Sequence, residues 1–339
     1  MPQITDKNEK SMPTVALALG SGGARGCAHI GVIRALEKRG YKISAVSGCS
    51  MGAIVGGFYC AGKLDALTDW IASLSYLDIL KLVDVSLLSS SVIRGDKVFK
   101  RLSELLDGQR IESCNIPFTA VATDMKFKKE IWFQQGVMEE ALRASSAIPT
   151  VLSPVVSNNR LLVDGGLLNP LPITPCVAAH TDVIIAVDLN AEVPIPNEKQ
   201  SNHSEKHAVS DKDKERIKYD EQEQRKEWYE GLIEGAAQWI DTKLSGNTSK
   251  KSATQQALTE DLSKLDMLNQ MFEVMQSSLA QFKVAGYPPD LLIRIPRDVC
   301  QIHEFHRASE LIELGYQITI DALNAFEQGH SSLYGQKRV

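Results

Sequence analysis

Basic residues are in deficit: 37 Lys and Arg stand against 42 Asp and Glu in 339 residues, a net charge of -5. With no basic footprint, a nucleic-acid partner is not expected, and anionic lipid could be held only by a local patch. Cysteine is sparse. Six thiols are scattered at 27, 49, 60, 114, 176 and 300 with no C-x-x-C pair. A disulfide scaffold is a poor reading for so long a chain, and reduced, mostly buried thiols a better one. No apolar run reaches the roughly 18 residues of a membrane span. The polar opening MPQITDKNEKSMPT carries no signal-peptide core, so the expected location is cytoplasmic.

What is present is a 43% hydrophobic chain with enough apolar residues for a sizeable core. Short β-rich runs recur at 15–20, 43–48, 117–124, 160–166, 182–189 and 290–296. Several are nearly continuous apolar runs, as expected for strands covered on both faces of a mostly parallel sheet. Helical spacing lies between them: in the segment ending at Gly40, in 95–108, and in 137–149 before Pro149. Alternating strands and helices predict an α/β layered fold. Ten acidic and eight basic residues crowd the stretch Asn197 to Glu230, which reads as a solvated excursion. The predicted organisation is a flexible N-terminus over 1–13 and one α/β hydrolase domain over 14–325. A charged linker and helical insertion interrupt that domain at about 190–288, and a tail occupies 326–339.

Two glycine-rich stretches carry the chemistry. Gly48-Cys49-Ser50-Met51-Gly52 is a G-x-S-x-G that follows one strand and opens a helix, the context of a nucleophile elbow. A serine on so sharp a turn needs residues without side chains two before and two after it. The helix start then aims amides and dipole at a developing oxyanion. The plainer alternative is a Gly-rich turn capped by serine. In Gly20-Ser21-Gly22-Gly23-Ala24-Arg25-Gly26, a dinucleotide loop would need glycine where Arg25 stands, and the following strand lacks the ribose-binding acid. The better reading is a loop whose bare amides face Ser50 as an oxyanion hole, with Arg25 either anchoring it or supplying positive charge.

A serine nucleophile needs a base. Asp164 ends an apolar strand and is followed by Gly165 and Gly166, so it could reach a neighbouring serine; an Asp-Gly turn is the bland alternative. Histidines 180, 203, 207, 303, 306 and 330 follow Asp164, but none stands where a triad histidine belongs, and His29 sits within the first helix.

Taken together, GGARG, GCSMG and DGG resemble the patatin-like phospholipase family, in particular bacterial members akin to neuropathy target esterase. The resemblance covers roughly 14–190 and 286–325. RASSAIP (143–149), PPDLLIRIP and ASELIELGY add to it. It implies a three-layer α/β/α fold and a metal-independent, cofactor-free esterase acting on acyl lipids, phospholipid or lysophospholipid. It also implies a Ser50–Asp164 dyad without histidine. Gly22, Gly23, Ala24, Arg25 and Gly26 would form the oxyanion loop, with the amides of Gly22, Gly23 and Ala24, joined by Met51, as donors. Ser21 departs from the acidic or glycine residue that often opens that loop.

Two points stay open at this level. Met267, Leu268, Met271, Phe272, Met275, Leu279 and Phe282 recur at helical spacing. They read first as a face covering the core, and otherwise as a homodimer interface or a lipid-facing lid in peripheral contact with a membrane. The same dyad would also serve an acyltransferase or thioesterase, and a regulatory lipid-binding protein with a vestigial pocket is the non-catalytic alternative.

Overall fold

In a computed structural model, residues 12–75, 78–79, 95–149, 152–196 and 251–329 are described. The predicted N-terminal segment up to residue 11, most of the charged linker and the tail from 330 lie outside them. The described elements run β1 (Thr14–Leu19), α1 (Ala28–Lys38), β2 (Lys42–Cys49), α2 (Met51–Cys60), α3 (Leu64–Ala72), α4 (Asp96–Leu106) and β3 (Phe118–Asp124). There follow β4 (Lys129–Phe133), α5 (Met138–Ser145), β5 (Val155–Ser157), β6 (Arg160–Asp164), α6 (Thr174–Val177), β7 (Val183–Ala191), α7 (Lys251–Gly286), β8 (Leu291–Pro296) and α8 (Ala308–Glu327).

The eight strands form one sheet in the order β5-β6-β3-β2-β1-β7-β8, with β4 also on β3. The pairs β3–β2, β2–β1, β1–β7 and β7–β8 are parallel. The sequence reading found every strand of this parallel part. It missed β4 and β5, and it placed Asp164 at a carboxyl edge without foreseeing that its strand runs backwards: β4, β5 and β6 pair antiparallel.

Strand β1 shows how its sequence makes two faces. Val15, Leu17 and Leu19 point into a core with α1, α2 and α8, while Ala16 and Ala18 point the other way. On that second face small residues line up (Ala16, Ala18, Ala45, Ala186), and Ala280 of α7 packs on them. An apolar run of alternating large and small residues therefore takes a helix at close range on its small side. This is the three-layer α/β/α arrangement, built here on a mostly parallel sheet.

By internal contacts the chain divides into two units. The first comprises Met1–Ser86, Ser91–Pro194 and Asn269–Val339; the second comprises Leu87–Ser90 and Ile195–Leu268. The sheet, the motifs and the C-terminal part of α7 belong to the first. That part of α7 corrects the expected core-covering face. Met271 and Phe282 are exposed, whereas Gln276 and Ala280 are buried. The face that packs is small and polar because the sheet surface beneath it is built of alanines and hydrogen-bonding loops.

Candidate active site

Ser50 lies between β2 and α2 with φ 55° and ψ -123°, a strained conformation for a side chain other than glycine. Its surroundings fix that strain. A Cβ on Gly52 would run into the carbonyl oxygens of Leu19 and Gly20, and one on Gly48 into the backbone of Gly52. The elbow thus fits directly against the end of β1, where the glycine–arginine loop begins. Gly26 of that loop packs against the Met51 side chain, so a Cβ there would overlap it. The Ser50 amide donates to Ser145 Oγ at 3.0 Å, and Ser145 Oγ donates to the Val121 carbonyl at 2.6 Å.

Strand β3 aligns Ser50 with Asp164. Cys49, just before Ser50, is in register with Val121 on one side, and Asp164 is in register with Ala122 through the antiparallel pairing of β6. Adjacent positions on one strand therefore bring residues 50 and 164 together. The RASSAIP segment spans the pair: Ser145 holds the Ser50 amide, and the Ala147 carbonyl accepts from the Asp164 amide at 2.8 Å.

Asp164 is fully buried. Its Oδ1 accepts from the Gly166 amide at 2.7 Å and faces Cys49 Sγ at 3.8 Å. Burial pushes its carboxyl up from an ordinary 3.8 to about 6, against the opposing pull of the Ser50 hydroxyl, the Gly166 amide and the Cys49 thiol. Oδ2 makes no hydrogen bond of full geometric quality. The Ser50 hydroxyl is nonetheless close enough to act on this carboxyl and to favour its ionised form. Among the described residues no histidine belongs to the groups acting on this carboxyl. His29 is buried, and its Nε2 lies 2.8 Å from the Gly20 carbonyl. Burial lowers its pKa to about 4, so it is neutral and braces the loop.

The glycine–arginine loop is tied at nearly every residue. The amides of Gly20 and Ser21 donate to the carbonyls of Val187 and Pro170. Arg25 is buried; it donates to the carbonyls of Gly22 (3.2 Å) and Arg297 (2.8 Å) and pairs with Glu273 at 3.3 Å. Of the two readings of Arg25, anchoring accounts for all of these bonds. The expected donor set needs one change. The Ala24 amide donates to the Ile302 carbonyl at 2.9 Å and is occupied. Among the described residues no acceptor takes the amides of Gly22, Gly23 or Met51.

Sequence reasoning missed Ser145 as the holder of the elbow, although it had singled out its segment. It also missed the polar face of α7, where Glu273 reaches Arg25 and Gln276 reaches Ser21. Nothing in the local pattern of α7 distinguishes these from solvated positions. Lys283 on the same helix meets Glu130 of β4 at 2.7 Å, and Asn169 of the acid loop joins that carboxylate at 2.9 Å.

The sheet thus carries a strained serine at a strand–helix turn, a buried carboxyl on a strand two places away and a glycine loop packed against the serine turn. Residues 17–177 match the family model described as patatin-like phospholipase. An NTE family protein of Mycobacterium tuberculosis is 39% identical over 337 residues, covering 94% of this chain and 93% of its own. Lysophospholipase NTE1 of Mycosarcoma maydis is 31% identical over 193 residues, which are 52% of this chain and 10% of that protein. VipD from Legionella pneumophila resembles the chain in structure with a TM-score of 0.47 and 14% identity, over 93% of this chain and 67% of its own. The chain belongs to the patatin-like phospholipase family, a family of lipid ester hydrolases. Among the described residues no helix is long and apolar enough to cross a membrane.

Proposed function

We propose that the protein is a serine acyl hydrolase of phospholipase A or lysophospholipase type, working through a Ser50–Asp164 dyad. The observation that carries this reading is the β3 register, which sets a strained serine beside a fully buried carboxyl of raised pKa. A base with a pKa near 6 is largely ionised at neutral pH and still basic enough to accept a proton in the transition state.

Ser50 Oγ attacks the acyl carbonyl carbon while its proton passes to Asp164 Oδ2. The oxyanion is received by the amides of Gly22, Gly23 and Met51 at the start of α2. Collapse expels the alcohol, which takes the proton from Asp164 and leaves an acyl-serine. Water then gives a proton to the same carboxylate and attacks the acyl-serine; collapse releases fatty acid, and Ser50 Oγ takes the proton back from Asp164. The relative named lysophospholipase supports lipid esters as substrates. The exposed Met271, Val274 and Phe282 on α7 support peripheral contact with a lipid surface.

Labelling with a fluorophosphonate probe and hydrolysis of a lipid panel test the reading. Ser50→Ala should abolish both, while His303→Ala and His306→Ala should leave both largely intact. Hydrolysis surviving in Ser50→Ala would reject the dyad.

A further inference from the structure

One polar side chain next to the acid turn has no role in the steps above. Gln276 comes from α7, outside the segment matched by the family model, and is 6% exposed. Its Oε1 accepts from Ser21 Oγ at 3.1 Å, across 255 residues of sequence. That bond turns the other end of the carboxamide toward the acid loop. A Cβ on Gly166 would collide with Gln276 Nε2 and lie 2.9 Å from Asp164 Oδ1. The carboxylate beside it favours the NH2 end of the amide on that side. Among the described residues no acceptor takes the Nε2 hydrogens. Nε2 is not among the buried side-chain atoms sealed off without a partner, so water can reach it, and a substrate oxygen bound beside the acid loop can take its hydrogens in place of that water.

We infer that Gln276 is a specificity-determining residue whose amide donates to an uncharged oxygen of the substrate next to the scissile ester. The inference rests on Ser50 and Asp164 being the reacting pair. The charge around Gln276 selects a neutral acceptor. Asp164, Glu273 and Glu130 supply carboxylates nearby. The cations are already committed: Arg25 to Glu273 and two carbonyls, Lys283 to Glu130. A phosphate at this point would meet negative charge, with Arg25 and Lys283 already paired. A hydroxyl or ether oxygen one carbon beyond the ester oxygen, as in any ester of a vicinal diol or triol, matches both the donor and the charge.

The test compares two probes that differ by one hydroxyl: the monodecanoyl ester of ethylene glycol, and ethyl decanoate. Active enzyme is counted by fluorophosphonate titration of Ser50. One hydrogen bond of ordinary net strength predicts that the wild type favours the hydroxy ester by roughly 2- to 12-fold in kcat/KM. In Gln276→Met that ratio should fall to near one. Gln276→Glu keeps the shape and puts a second carboxylate beside Asp164, so the acid limb of its kcat/KM profile should move up by about one pH unit. This variant carries the test if Gln276→Met does not fold. A wild type with no preference, a preference kept in Gln276→Met, or an unmoved limb in Gln276→Glu would each overturn the assignment. Failure of the dyad itself has a different signature: wild-type Ser50 would not be labelled, and no titre would be obtained for any variant.

Discussion

Replacing Asp164 with Asn separates what its carboxyl does for catalysis from what it costs the fold. The carboxyl rises from 3.8 to about 6 because it is fully buried. At about 1.36 kcal/mol per unit, that gap sets an upper bound of roughly 3 kcal/mol on the penalty of holding the ionised form in this pocket at neutral pH. The sign follows from which state binds the proton more tightly. The folded state does, so this residue's favourable contribution is complete below pH 3.8 and is lost as pH climbs through about 6. Asparagine has nearly the same shape, still accepts from the Gly166 amide, and does not ionise. Urea unfolding of both proteins at several values between pH 4 and 8 should show Asp164→Asn gaining on the wild type as pH rises, by no more than about 3 kcal/mol at pH 8. Fluorophosphonate labelling runs the opposite way. Wild-type labelling should grow through about pH 6 as the base ionises, and Asp164→Asn should stay unlabelled throughout. Parallel stability curves, or wild-type labelling rates in Asp164→Asn, would refute the claim that a buried, costly carboxylate activates Ser50.

Two further substitutions probe the supports of the site. Ser145→Ala removes the acceptor of the Ser50 amide and the donor to the Val121 carbonyl; each buried group left without a partner costs about 1–3 kcal/mol. Thermal unfolding should show the loss, and labelling should slow as the strained turn relaxes. Arg25→Lys keeps the charge but cannot span the Gly22 carbonyl, the Arg297 carbonyl and Glu273 at once. Labelling should therefore fall at least about tenfold, the equivalent of about 1.4 kcal/mol in the barrier. A rate near wild type would show that charge alone suffices and that anchoring is not its role.

The parallel half of the sheet was legible because its strands carry apolar runs that declare themselves locally. The antiparallel half was not. β4, with exposed Trp132 and charged Lys129 and Glu130, carries no continuous apolar run, and β5 has three residues. The face of α7 was misassigned for a related reason. Hydrophobic spacing marks the side that water disfavours, but here the sheet offers alanines and polar loops, so Ala280 and Gln276 pack inward while Met271 and Phe282 remain outside.

What the sequence by itself determined is the kit of reacting parts: the serine turn, the glycine–arginine loop and the acid turn. Each is dictated by steric demands within a few residues, so each could be read without knowing its neighbours. Only the tertiary structure decided how these parts meet. Registers on β3 set Asp164 against Ser50, burial raised its pKa, Ile302 took the Ala24 amide, and a helix 255 residues beyond Ser21 delivered Gln276. Those outcomes depend on distance and dielectric between segments remote in the chain, and no local pattern of residues encodes them.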